Sequence, residues 1–225
     1  MRYIFFLIFL LGALKLSAQD SIAKSPYLED QLYAGFSYIL FSKQTNEVNP
    51  KGFSNSLCFG FIKDLPVNKM RNMAFGVGLG YARNTYYQNI FISKVNGQFD
   101  FSIIDPGFSY KTNKFSTHAI EIPFEFRWRT STSYKYKFYR LYTGIKMSYI
   151  IGSNAKLKTI ESKTRVSGID EINKFQYGLT LSAGYGTWNI NLYYGLSDIF
   201  KNASLGDTRP LTMKDIRLGL IFYIL

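Results

Sequence analysis

The residues able to do chemistry lie in one stretch, from Ser116 to Arg129. Ser116 and His118 are two apart, so on an extended strand they share a face, and a hydroxyl beside an imidazole is the minimum for nucleophilic acyl transfer. No third group that would orient the imidazole is evident, and the chain has no phosphate-cradling loop, metal-ligand cluster or nucleophile elbow. A lipid-modifying enzyme centred on Ser116 and His118 is therefore the alternative reading, beside a simple rim histidine. Glu121 and Glu125 follow. Four residues along one strand face set them roughly 13 Å apart, too far for a paired general acid and base. Arg127 and Arg129 continue the same face, which makes it an ion network rather than a reaction centre. No catalytic residue, metal ligand or cofactor is expected.

The element that positions these groups is a strand, because HAIEIPFEFRWR alternates strictly. Ile120, Ile122, Phe124, Phe126 and Trp128 face one side; Glu121, Pro123, Glu125, Arg127 and Arg129 face the other. Seven further segments alternate with the same period: 31–42, 53–63, 73–82, 138–151, 174–185, 188–197 and 216–224. Apolar residues recur at two, not at three and four, so no helix is expected. About ten residues per segment is the length at which a tilted strand crosses a bilayer. In 73–82, Gly76, Gly78 and Gly80 line one face. Such a row weakens an ordinary strand, but it leaves space for long side chains from facing strands inside a narrow barrel.

The links alternate in length. Those after the first, third, fifth and seventh segments are long (43–52, 87–116, 152–172 and 198–214). Those after the second, fourth and sixth are short (64–72, 130–137 and 186–187). Long external loops and short periplasmic turns on an even number of strands are the outer-membrane rule. The expectation is an all-β chain, an eight-stranded antiparallel up-and-down transmembrane β-barrel with both termini in the periplasm. Residues 1–18 carry a basic start, an apolar run and small residues at the end, as in a cleaved signal peptide. Residues 19–30 are then a periplasmic leader and 31–225 the barrel. Trp128, Tyr139, Tyr185 and Trp188 fall at the lower rim, and Tyr38, Tyr81, Tyr149 and Tyr194 toward the upper, forming two girdles. The lumen is expected to hold Glu121, Glu125, Arg127, Arg129, Arg140, Lys146, Lys174 and Arg217. An eight-stranded barrel is only wide enough for its own side chains, so this is a structural network rather than a conduit. Glu121 and Glu125 would neutralise Arg127, Arg140 or Lys146.

The formal charge of +12 includes Arg2 and Lys15, which leave with the signal. Export makes nucleic acid an improbable partner. General solubility is the simplest account of the charge, and outer-membrane lipid and the phosphates of lipopolysaccharide are the fitting counter-charges if it has a partner. Cys58 is the one cysteine, so there is no intramolecular disulfide or thiolate cluster.

The stretch IEIPFEFRWRTSTSYKYKFYRLYTGIKMSYIIGSNAK, with KFQYGLTLSAGYGTWNINLYYGL and the terminal LGLIFYIL, resembles the PorT-type outer-membrane β-barrel proteins of Bacteroidota. The family's acidic-aliphatic-proline strand ending in Arg-aromatic-Arg corresponds to Glu121 to Arg129. Its following strand, which opens on Arg-aliphatic-Tyr and carries a Gly, a Lys and a closing Tyr, corresponds to Arg140 to Tyr149. The resemblance covers most of the chain after the signal. It implies a non-enzymatic accessory or scaffold role in the cell envelope, linked to type IX secretion or gliding, with other envelope or secretion-system proteins as partners. It supplies no catalytic residues. A small transport or adhesion barrel is the other reading.

Overall fold

The computed structural model describes residues 31–70, 72–130, 138–206 and 209–224. The signal peptide 1–18, the leader 19–30 and most of the link 130–137 lie outside the described residues. The strands are β1 (Gln31–Gln44), β2 (Asn55–Pro66), β3 (Met73–Tyr87), β4 (Ile90–Val95), β5 (Gln98–Ile103), β6 (Thr112–Arg129), β7 (Tyr139–Lys158), β8 (Lys163–Ser167), β9 (Phe175–Tyr185), β10 (Trp188–Gly195), β11 (Ser204–Leu205), β12 (Arg209–Pro210) and β13 (Met213–Ile224).

Eight of them form a ring in the order β6, β3, β2, β1, β13, β10, β9, β7, and the β6–β7 pairing closes it. Every neighbour is antiparallel, and β1 meets β13 from Leu32 opposite Ile224 to Gln44 opposite Met213. Closure pairs the edge amides, which hydrocarbon would leave unsatisfied. The period-two pattern decides which side chain goes where. In β9, for example, exposed and buried residues alternate almost without exception. The outer face is a continuous apolar belt, including Leu57, Phe59, Leu79, Phe124, Ile145, Leu179 and Ile190, all exposed. Water does not tolerate a patch of that extent; a bilayer does.

The wall is taller than the expected segments. β6 has 18 residues and β7 has 20, roughly twice what a bilayer crossing requires. β6 begins at Thr112 instead of His118, and β7 runs on to Lys158. Their pairing shifts by one residue between His118 and Ala119, a bulge that sharpens local twist where the two strands leave the apolar belt. Above it, β8 pairs with the upper part of β7, from Asn154 opposite Ser167 to Lys158 opposite Lys163. The long links also carry a second sheet, β12-β11-β5-β4. Its β4–β5 hairpin turns at Asn96 and Gly97, both at positive φ. This canopy packs on the barrel through one apolar cluster that includes Ile39, Tyr86, Ile92, Phe101, Phe115, Ile150, Phe200 and Leu205.

Candidate functional site

The interior consists of two ion networks below an apolar plug. At the lower end, Asp64 of β2 pairs with both Arg127 and Arg129 of β6, and all three side chains are fully buried. Arg127 also donates to Gln31 Oε1 and lies 4.0 Å over the ring of Tyr142. The glycine row of β3 makes this arrangement possible. A Cβ on Gly76 would meet Arg127 Cδ at 2.6 Å, and one on Gly80 would collide with the Tyr33 hydroxyl.

Halfway up, Glu121 lies 3.3 Å from Lys146 Nζ and 3.3 Å from Arg217. Arg217 also donates to Asp215 at 2.8 Å and stacks 4.5 Å over Tyr193. The Tyr86 hydroxyl donates to the same carboxylate oxygen, Asp215 Oδ2, at 3.3 Å, linking the network to the plug. In the plug, Tyr86 and Phe115 stack with centroids 4.6 Å apart, and Phe200 closes on Phe115 from the canopy. Charge-stacked arginines and shared carboxylates hold these side chains in place.

The structure brings together Glu121, Glu125, Arg127, Arg129, Lys146 and Arg217. Arg140 is also interior, over the rings of Phe138 and Tyr223, but no carboxylate pairs with it among the described residues. Glu125 takes a lesser part than expected, 3.7 Å from Arg127 Nε. Lys174 is a correction. β9 starts at Phe175, and Lys174 sits exposed in the bend before it, so its ammonium is not lumenal. Asp64 and Asp215 are interior too, although Asp64 opens the link 64–72 and Asp215 falls between the link 198–214 and the segment 216–224. The alternation 58, 60, 62, 64 and 215, 217, 219, continued one step further, would have placed both inside.

Of the girdle residues, Trp128, Tyr139, Tyr185 and Trp188 are exposed around one end, with Tyr139 opposite Tyr185 and Tyr185 opposite Trp188. Tyr149 and Tyr194 are exposed, and Tyr38 and Tyr81 half-buried, toward the other. Ser116 and His118 both lie on the outer face, but the structure does not join them. Ser116 Oγ donates to Thr85 Oγ1 at 3.2 Å, and the His118 ring bonds the Tyr81 hydroxyl.

A closed eight-stranded antiparallel barrel with an apolar belt outside and an ionised, filled interior is an outer-membrane β-barrel. The chain belongs to the outer membrane protein beta-barrel domain family, which matches residues 17–201. Among solved structures it is similar to that of Ail, the attachment invasion locus protein of Yersinia pestis, with 13% identity over 87% of this chain and 97% of that one, at a TM-score of 0.30. No curated protein matches.

Proposed function

We propose that the protein is a non-catalytic accessory or scaffold of the cell envelope, working through its canopy rather than its lumen. The observation that carries this is the plug: the canopy is packed onto the same buried cluster that fills the upper lumen. Binding energy between barrel and canopy is thereby invested in a fixed outer surface, not in a gate. The canopy end faces the exterior, and the short links and both termini face the periplasm, in keeping with the outer-membrane rule for loop lengths. The PorT-type resemblance supports a place beside the type IX secretion or gliding apparatus.

A second reading is a small adhesion barrel, with the canopy as the surface a partner would meet; Val95, Phe108 and Ile160 are exposed at that end, singly rather than as one contiguous patch.

The experiment is deletion of the gene followed by assay of type IX cargo export and motility, with affinity purification of the tagged barrel from intact outer membrane. Lost export with recovery of secretion proteins is expected. Normal export and motility would remove the secretion role, and co-purification with an external ligand alone would favour adhesion. In planar bilayers the purified barrel is expected to give no discrete openings; unitary steps would defeat the filled-lumen reading. For the Ser116/His118 alternative, a lipid mass spectrum that changes on His118→Ala would restore it.

A further inference from the structure

Above the apolar belt, on the outer face of β6, β7 and β8, the strand register places cations directly opposite one another. Lys114 is the Cα partner of Lys156, and Lys156 is in turn the partner of Arg165. One step higher, Lys158 is opposite Lys163. Arg83 lies lower on the same side, two residues beyond Tyr81 on β3 and opposite His118. None of these six cations makes an ion pair among the described residues, although Lys114 donates to the Tyr87 hydroxyl at 3.1 Å. Glu161, at the tip, is the one acid in the β7–β8 hairpin.

Like charges directly opposite in a sheet are destabilising. Here three occupy a single cross-strand row on elements that the bulge and register hold in place, so the arrangement has a cost that an anion must offset. The Lys156 ammonium is held below its usual range by burial and then by Lys163, Lys114, Lys158 and Arg165. The cluster is thus close enough to act as one field.

Height selects the anion. Lys114 is six residues beyond Ile120, the last apolar residue of the β6 belt, and at strand rise and barrel tilt this is roughly 15 Å above it. A phospholipid headgroup layer occupies only about 5–8 Å on each side of the core. Arg83 is at that lower level; the lysine row is above it, alongside a saccharide standing on a lipid anchor. Between the two levels the outer face carries hydroxyl and amide groups, including Asn154 and Ser167. We infer that the Lys114–Lys156–Arg165 row, with Lys158 and Lys163, binds the phosphorylated saccharide of a lipopolysaccharide in the outer leaflet. The assignment rests on the outward orientation of the canopy given under Proposed function.

The test titrates folded full-length protein in detergent with purified lipopolysaccharide, comparing wild type with the triple variant Lys156→Gln, Lys158→Gln, Arg165→Gln. About 1 kcal/mol per cation near an anionic surface corresponds to a roughly 100-fold weaker Kd for the variant. Dephosphorylated lipopolysaccharide is expected to bind wild type as weakly, and Lys156→Arg to bind normally. Unchanged affinity in the triple variant, or equal affinity for the dephosphorylated lipid, would overturn the proposal. So would inorganic polyphosphate competing as strongly as the lipid, since that marks a site for soluble anions. Orientation is read separately, by labelling Lys163→Cys in a Cys58→Ser background on intact cells with an impermeant maleimide. Labelling is expected without breaching the outer membrane. Labelling only after breach removes the outward orientation and the lipopolysaccharide assignment with it, while the titration still reports whether the row binds phosphate.

Discussion

Asp64→Ala is expected to lower the stability of the barrel by about 3–5 kcal/mol, the usual cost of removing one partner from a buried charge pair. The readouts are the urea midpoint in detergent and the temperature at which the folded band shifts on a gel. The reason is stoichiometric: one carboxylate serves two guanidiniums, and all three side chains have no solvent exposure. The variant should still fold, because Arg127 keeps Gln31 and the face of Tyr142. Asp64→Asn should fall between the two. Glu125→Gln should cost only about 1 kcal/mol, since Glu125 is 3.7 Å from its nearest cation and its Oε2 already lacks a hydrogen-bond partner. If Glu125→Gln proved as damaging as Asp64→Ala, the lower network would be centred on the wrong acid. A compound variant, Asp64→Leu with Arg127→Met and Arg129→Leu, separates charge from shape. Well-packed apolar replacements of a buried ionic group are often neutral, so recovery of the midpoint is expected. A compound variant as weak as Asp64→Ala would assign the loss to packing.

The wall of the barrel was legible in the sequence because lipid imposes a simple condition: every second residue must be apolar, as in Ile120 to Trp128. Lumenal positions followed by parity, which is how Glu121 and Arg217 were placed inside without knowledge of their partners. Parity failed where a local signal competed. Asp64 stands two residues before Pro66, a combination that marks turns, yet β2 runs through both. Lys174 failed in the opposite direction, since the alternation of Phe175 to Tyr185 extends backward to it by parity, but the strand starts one residue later.

The canopy was a different case. Asn96-Gly97 between two six-residue segments is a strong hairpin signal, and β4 and β5 do pair around it, from Ile90 opposite Ile103 to Val95 opposite Gln98. What the sequence does not display is the surface that makes so short a hairpin stable. An isolated two-stranded hairpin is marginal in water, and the residues that cover this one lie outside it: Phe115 on the next barrel strand and Phe200 in the distant link after β10. The basic row above the belt was hidden for the same reason: Lys114, Lys156 and Arg165 become neighbours only through the register of three strands.

That dependence makes Phe115 the residue through which barrel and canopy can be uncoupled. Its ring is fully buried, stacks on Tyr86 and is 5.2 Å from Phe200, which in turn meets Phe101 of β5 at 5.7 Å. Truncating such a phenylalanine to alanine costs about 3–5 kcal/mol. Phe115 itself pairs with neither ion network, and the one hydrogen bond from plug to network belongs to Tyr86, so the loss should fall on local opening of the canopy rather than on the wall. The expected result for Phe115→Ala is trypsin cleavage at Lys94, exposed near the end of β4, accelerated roughly a hundredfold or more. The temperature of the gel-mobility shift should change little. A barrel that melts earlier while Lys94 stays protected would mean that the plug stabilises the wall and that the canopy is not a separable unit. If cleavage accelerates as expected, the same variant tests the scaffold reading: the partner recovered with the wild-type barrel should be lost from one whose wall is intact and whose canopy alone has been released.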